Sequence, residues 1–260
     1  MKNLNRISKS SILILMCFVL LSSCGKKEDS AKPANDGQNV SGDSKVSREP
    51  DEVTITGSGE STTPKIAFEP GCYILEFKYK SDNPVPFDAL LAPLQQGFPA
   101  HSLAPYSGFA KNASGWYSES KIMDFKSSKS YLPIIVKTSV PWEIKLKKLP
   151  LVNDNALETP AVITGYGTQV TQAVKLNKGS ATFEIKCPDT KKAGFMITLF
   201  NNLGKHVLPS IILASNVEPG ANPKETSYGS TKKINIPYQG IYFLEIAANG
   251  TSAWEVKISQ

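Results

Sequence analysis

The chain has 260 residues, enough for one large domain or two of ordinary size. A hydrophobic content of 40% can form a packed core, and 18 glycines with 18 prolines suit many turns between short strands. The net charge of +6 falls to +3 without residues 1–23, which carry three basic and no acidic residues. Because the only arginines, Arg6 and Arg48, lie outside the predicted globular part, the composition argues against nucleic-acid binding.

The first 24 residues are organised like a bacterial export signal. A basic head at residues 1–10 precedes an apolar run (SILILMCFVLL) that is too short to cross a bilayer as a helix. The tetrapeptide LSSC follows and ends at Cys24. This segment resembles the lipobox signal of bacterial lipoproteins. The resemblance implies removal of residues 1–23 and attachment of a diacylglyceryl group, with a further palmitate-type chain in many bacteria, to Cys24. An ordinary secretory signal with a chance cysteine is the alternative.

The residues after the cysteine bear on location. Gly25 stands where an aspartate would retain an enteric lipoprotein at the inner membrane, so the resemblance favours the outer membrane if the host has one. Lys27-Glu28-Asp29 is similar to the surface-export signal of some Bacteroidota lipoproteins, which implies possible exposure on the cell surface. Residues 24–50 are polar and show no periodicity, so we predict a lipidated cysteine followed by a flexible linker.

The second half of the chain repeats the first. Residues 55–91 align with residues 163–199 at an offset of 108 without a gap, with 10 identities in 37 positions. Both copies begin with the pattern ITGxG, and each has a glycine, Gly71 or Gly179, before its longest alternating run. Such internal similarity predicts a duplication that gives two domains of roughly 100 residues each.

Each copy closes with a similar segment, YLPIIVKTSVPWEI in the first and YFLEIAANGTSAWEV in the second. Trp142 is therefore predicted to be the equivalent of Trp254, and both are expected to fill the core beneath the last strand. Tyr131 and Tyr242 are predicted to be a second matched pair.

The periodicity within each copy is two. Residues 72–79 (CYILEFKY) and 180–187 (SATFEIKC) carry an apolar residue at every second position, and turn-rich segments separate such runs. We therefore predict an all-β protein. Two tandem antiparallel β-sandwich domains, at 51–149 and 157–260, follow the signal peptide and the disordered linker. The order of strands, turns and closing Trp-x-Ile/Val hairpin resembles the jelly-roll-type repeats of secreted and envelope bacterial proteins, some of which are carbohydrate-binding modules.

No catalytic or metal-ligating residues can be nominated from the sequence. Cys72 and Cys187 occupy non-equivalent positions, with Cys187 predicted in the core and Cys72 on the solvated face, so no disulfide is expected. His101 and His206 are predicted to lie in corresponding exposed loops without metal-ligand spacing. We predict no cofactor and no enzymatic activity, and an enzyme with an unrecognised site is kept as an alternative.

Four aromatic residues of the first copy are the candidate ligand-binding residues. Tyr106, Phe109, Trp116 and Tyr117 fall in one loop-like segment, and exposed aromatic faces beside polar groups are suited to stacking on sugars. A long loop tucked over the edge of the sandwich would explain the same residues.

These observations predict a membrane-anchored, non-catalytic envelope lipoprotein that acts as a binding or adhesion module. Its partners would be the membrane, through lipid on Cys24, and an envelope protein or a glycan. A structural spacer or accessory subunit of a surface complex is the main alternative, and it would carry an exposed apolar patch or strand edge.

Overall fold

The structure is a computed structural model that describes residues 44–49, 52–92, 101–103, 109–126, 130–151, 155–187, 195–207, 211–213, 228–248 and 253–260. Within these ranges the chain forms 21 strands and no helix, which confirms the predicted all-β class. It follows that no helix in the described ranges is long and apolar enough to cross a membrane. The predicted signal peptide and Cys24 lie outside the described residues.

The first half contains twelve strands. They are β1 (Lys45–Glu49), β2 (Glu52–Ser58), β3 (Ser61–Thr62), β4 (Ile66–Phe68), β5 (Gly71–Lys80), β6 (Asp88–Leu91), β7 (His101–Ser102), β8 (Ala110–Lys111), β9 (Trp116–Phe125), β10 (Ser130–Leu132), β11 (Ile134–Lys137) and β12 (Pro141–Lys148).

The second half contains nine strands. They are β13 (Ala161–Tyr166), β14 (Gln169–Val170), β15 (Val174–Leu176), β16 (Gly179–Cys187), β17 (Phe195–Asn201), β18 (Ile211–Leu213), β19 (Tyr228–Ile236), β20 (Gly240–Ala248) and β21 (Ala253–Ser259).

The two halves have the same strand order. The first half has a sheet in the order β1-β2-β12-β5-β9-β8, and the second has β13-β21-β16-β19. The opposing sheets run β3-β11-β6-β7 and β14-β20-β17-β18, and the short strands β4 and β15 pair with β10 and β20 respectively. All the ladders are antiparallel, and each half encloses its own apolar core between its two layers. The fold is therefore two tandem β-sandwiches, as predicted.

The matching tryptophans occupy the same place in both sandwiches. Trp142 and Trp254 are 1% and 3% exposed, which confirms that they fill the cores. The indole Nε1 of Trp142 donates a hydrogen bond to the carbonyl of Gly59 at 3.1 Å, and that of Trp254 to the carbonyl of Gly167 at 2.9 Å. These two glycines are 108 residues apart, so the hydrogen bonds follow the offset of the sequence alignment.

The predicted tyrosine pair is wrong by one residue. Leu132 lies opposite Ile66, and Tyr242 lies opposite Val174, which is the equivalent of Ile66 at the offset of 108. Leu132 is therefore the structural mate of Tyr242.

The predicted linker is too long. Strand β1 lies within residues 24–50 and pairs antiparallel with β2, and Val46 packs against the core of the first sandwich. The first sandwich therefore begins at Lys45 and not at residue 51. The sequence KVSRE is too polar to be recognised as a strand from its composition. It forms one because it pairs with β2, rather than because of its own apolar content.

Candidate functional site

The outward face of β5 is not solvated along its whole length. Cys72 and Ile74 on this face are only 1% and 5% exposed, and they form a buried cluster with Leu149 and with Phe243 of β20. We call this contact the inter-domain interface. The prediction that Cys72 faces solvent is wrong, because the second sandwich covers that face. Cys187 lies in the core of the second sandwich as predicted, and Cys72 and Cys187 are not joined in a disulfide.

A tight turn after β17 fits against the first sandwich. The Asn201 side chain accepts a hydrogen bond from the Lys205 backbone N–H at 2.9 Å, and Gly204 adopts a positive φ of 71°. The Gly204 carbonyl then accepts the thiol hydrogen of Cys72 at 3.3 Å, while Lys205 lies 3.1 Å from the Asp124 carboxylate. Burial raises the pKa of the Cys72 thiol, so the thiol keeps the proton that it donates.

The inter-domain interface also provides hydrogen-bond partners for polar groups on the outer edge of β9. The Ser120 N–H donates to the carbonyl of Thr168 at 3.2 Å, and its hydroxyl accepts from the Val170 N–H at 2.7 Å. The Ile122 N–H donates to the Glu245 carboxylate at 2.6 Å. Edge strands with unpaired backbone groups invite pairing with other chains. Here polar groups of the second sandwich form hydrogen bonds with part of the β9 edge, so that part is not open to another chain.

A buried ionisable pair lies at this edge. Burial raises the pKa of Glu245, whereas the hydrogen bond from Ile122 and the charge of Lys121 act in the opposite direction. Lys121 is 8% exposed, and burial lowers its pKa against the attraction of Glu245 and Glu119. Glu245 therefore has two roles in the interface: it accepts a backbone hydrogen bond and it faces a buried ammonium group.

Replacing Glu245 with alanine is expected to lower the free energy of unfolding by about 1–3 kcal/mol, because the Ile122 N–H loses its acceptor. Glu245→Gln keeps an acceptor at the same position and should cost less. Urea denaturation of both variants at pH 7 measures the difference, and equal losses would contradict the assigned hydrogen bond.

The pH dependence separates the two roles of Glu245. Because burial raises its pKa in the folded state above the ordinary value of a glutamate, the folded protein binds this proton more tightly than the unfolded chain does. The proton-linked part of the stability is therefore fully present below the unfolded pKa and is lost as the pH rises through the folded pKa, whereas the hydrogen bond from Ile122 contributes separately. The Glu245→Gln variant should lack this component, which begins to fall as the pH rises above about 4.3, the pKa of an unperturbed glutamate.

An open cleft of about 230 Å³ lies beside the inter-domain interface. Both sandwiches contribute apolar side chains to it, namely Ile74, Leu151, Val170, Ala173, Ile241 and Phe243. The polar lining residues are Glu76, Lys147, Asn155, Thr171, Gln172 and Asn202. A second hollow of about 190 Å³ shares Glu76 and Val170 with the first and extends along β9.

The charges of the cleft are balanced, and part of its amide lining is held in place. Lys147 and Glu76 form an ion pair at 2.7 Å, and the Gln172 side chain donates to the Asn155 carbonyl at 2.8 Å. Lys78 lies farther from Glu76, at 4.0 Å. The cleft therefore offers donors and acceptors around an apolar surface without a strong net charge.

Of the predicted aromatic platform, the structure describes Phe109, Trp116 and Tyr117. Tyr117 is 4% exposed and stacks on Tyr79 at a centroid distance of 4.8 Å, and Phe109 meets the same ring at 4.9 Å. Trp116 is half-buried and begins β9 rather than standing in a loop. Tyr106 lies outside the described residues. Two of the four residues are therefore packed with the first core, which favours the alternative explanation in which the segment tucks against the sandwich.

The two histidines are not structural equivalents. His101 belongs to β7, where it pairs with Leu91 of β6, whereas His206 follows the turn after β17 and lies exposed against the ring of Phe200 at 4.5 Å. Because Leu199 is the equivalent of Leu91 and His206 lies opposite the neighbouring Phe200, the two segments correspond roughly, as predicted, although His101 lies in a strand rather than in a loop. In the part of the chain that the structure describes, no three His, Cys, Asp or Glu residues come close enough together to hold a metal ion.

The cleft residues were not nominated from the sequence, although a signal was present. On the outward face of β5, Cys72 and Ile74 are apolar whereas Glu76 and Lys78 are charged. A change from apolar to charged residues along one face indicates that a covering surface ends there. Glu76 stands at that boundary, and the cleft is located there too.

Comparisons with known proteins identify no family. No protein-family model matches the sequence, and a comparison with curated proteins finds no match. Among solved structures, the CBM22-1-CBM22-2 tandem domain of Paenibacillus barcinonensis Xyn10C has a TM-score of 0.26 at 7% identity, covering 85% of this chain and 91% of that one. The insecticidal delta-endotoxin Cry8Ea1 of Bacillus thuringiensis has a TM-score of 0.24 at 8% identity, covering 84% and 51%. TM-scores this low carry no conclusion about function.

Proposed function

We propose that this chain is a lipid-anchored, non-catalytic binding module of the bacterial cell envelope whose ligand occupies the cleft beside the inter-domain interface. The observation that carries the proposal is the composition of that cleft. Its apolar surface comes from both sandwiches, and its polar groups are amides, a hydroxyl and a neutralised ion pair. Ligand sites commonly combine an apolar surface with a few convergent polar groups in this way.

The chemistry of the lining fits a saccharide better than a charged ligand. Sugar rings present C–H faces to apolar side chains and hydroxyl groups to planar polar ones. Asn155, Gln172 and Asn202 are exposed and can both donate and accept hydrogen bonds. Glu76 and Lys147 already neutralise each other, so neither an anion nor a cation is favoured.

Removing one amide of the cleft should weaken saccharide binding without unfolding the protein. Asn202→Ala is expected to reduce affinity by up to about tenfold, since a hydrogen bond contributes about 1 kcal/mol. Asn235→Ala, an exposed amide on β19 that does not line the cleft, is the matched control. Binding to an array of hexose, N-acetylhexosamine and uronic-acid oligosaccharides supplies the measurement. An array without binders, or equal binding by both variants, would count against the cleft.

Support for the proposed lipid anchor comes from the LSSC segment, which follows a basic head and an apolar run and ends at Cys24. Stable attachment to a bilayer needs more than one acyl chain, which lipoprotein processing provides. Cys24→Ser should therefore abolish labelling by an alkyne fatty acid and move the protein from the membrane fraction to the soluble fraction of bacterial cells. Persistent membrane association of an unlabelled Cys24→Ser protein would contradict the lipid anchor.

A structural subunit of a surface complex is the second candidate. It is favoured by an exposed strand edge on the second sandwich, where Val162 and Tyr166 are 56% and 53% exposed. This edge is compatible with either function.

A further inference from the structure

Strand β13 forms an edge of its sheet, and no other strand of the described residues pairs with its outer side. Its sequence is AVITGY, with no charged residue. Val162, Thr164 and Tyr166 point outward and are exposed. Natural edge strands are usually protected by charges, prolines or a covering element. Among the residues that the structure describes, Pro160, which precedes the strand, is the one that offers protection of this kind near the start of β13.

The equivalent edge is occupied in the first sandwich. Strand β2 corresponds to β13 at the offset of 108, and β1 pairs along its outer side in antiparallel register, with Lys45 opposite Thr56. Thr56 is the mate of Thr164 at that offset. This sandwich therefore accepts an additional antiparallel strand at this side. The second sandwich has no counterpart of β1 among the described residues.

The composition of β13 makes it complementary to itself. In an antiparallel pair of two β13 strands centred on Thr164, Thr164 faces the partner's Thr164 and Val162 faces the partner's Tyr166. Threonine pairs and pairs of an aromatic with a β-branched residue both stabilise antiparallel sheets, whereas like charges directly opposite destabilise them. No charged residue of β13 opposes another in this register.

We propose that β13 is a homodimerisation edge, where a second copy of this chain adds its own β13 and continues the sheet β13-β21-β16-β19 across a two-fold axis. A two-fold contact uses the same surface on both copies and closes without forming a fibre. This inference concerns assembly and stands apart from the ligand proposed for the cleft.

Cysteine crosslinking tests the register. In the full chain carrying Cys24→Ser, which removes the proposed lipid acceptor, Thr164→Cys should form a disulfide-linked dimer under mild oxidation. Opposed residues in an antiparallel ladder have the Cα separation that a disulfide requires. Thr56→Cys is the matched control, because β1 already covers that position. Equal crosslinking of the two variants, or none at Thr164→Cys, would overturn the proposal.

Charge substitution tests the contact without crosslinking. Thr164→Lys places two lysines across the axis and should weaken dimerisation by about fivefold or more in sedimentation equilibrium. Mixing Thr164→Lys with Thr164→Glu should restore a dimer of the two variants. Two outcomes would refute this edge as the interface. One is a protein that stays monomeric at about 100 μM, a concentration well above the dissociation constants of ordinary homodimers. The other is a dimer whose dissociation constant is unaffected by Thr164→Lys.

Discussion

Replacing Gly204 with alanine is expected to lower the free energy of unfolding by about 3 kcal/mol, through added strain and overpacking. A Cβ atom at this position would lie 2.3 Å from the Cβ of Cys72 and 2.9 Å from Cδ1 of Leu149. The φ angle of 71° is also unfavourable for alanine. Because the contact is with the first sandwich, the variant should loosen the inter-domain interface, and urea denaturation measures the loss.

Gly115 provides a matched control for Gly204. Asn112 and Gly115 form the same kind of Asn-x-x-Gly turn before β9, with a φ of 81° at the glycine, but a Cβ there would meet nothing within 4 Å. Gly115→Ala should therefore cost only the backbone term of about 1–2 kcal/mol. The difference between the two variants isolates the inter-domain contact. If both variants lose the same stability, Gly204 does not pack as described.

Gly165→Ala is expected to cost about 2–4 kcal/mol without any backbone strain. The added Cβ would lie 2.2 Å from Cζ2 of Trp254, so the indole must move. That movement would also weaken or break the hydrogen bond from Trp254 to the carbonyl of Gly167. The change should appear as a lower unfolding midpoint together with an altered near-ultraviolet circular dichroism signal from the displaced tryptophan.

The control for this variant is Gly240→Ala, where the nearest atom to a Cβ is 3.7 Å away, an ordinary contact. Gly57→Ala should behave like Gly165→Ala, since its Cβ would lie 2.4 Å from Cζ2 of Trp142. A Gly165→Ala protein as stable as Gly240→Ala would show that the glycine is not required by the tryptophan.

The duplication could be predicted because the repeated residues include those that leave space for a large side chain or form a specific hydrogen bond. Gly57 and Gly165 leave space for a tryptophan in each sandwich. Thr63 accepts a hydrogen bond from the Ile134 N–H at 2.9 Å, and its mate Thr171 accepts one from the Leu244 N–H at 3.2 Å. Such positions tolerate few substitutes, so they remain recognisable when the surrounding apolar residues have been exchanged.

The inter-domain interface could not be predicted in the same way. A period of two identifies the two faces of β5 but does not tell which surface covers each face. The alternation correctly places Cys72 on the face opposite Tyr73, but its burial depends on Phe243, which is 171 residues away in sequence. Local patterns carry no information about a contact of that range.

The aromatic residues show a related limit. The sequence places Tyr117 and Phe109 in a loop-like segment suited to ligand binding, yet both contact Tyr79 in the structure. Strand β19 takes the position of β9 in its sheet, and Tyr228, opposite Cys187, is the equivalent of Tyr117, opposite Tyr79, at the offset of 108. This matched pair of tyrosines indicates that Tyr117 belongs to a repeated strand rather than to a loop.

The pairing of β1 with β2 determines how the protein would respond to a pull on its proposed anchor. Glu49 and Glu52 lie at the closed end of this hairpin, whereas Lys45 lies at the open end, where the chain arrives from Cys24. Tension transmitted through the tether would therefore enter at Lys45 and separate the β1–β2 ladder one residue pair at a time. Hydrogen bonds loaded in sequence resist less force than bonds loaded together. The hairpin would thus lengthen the tether before the cores of the sandwiches carried the load.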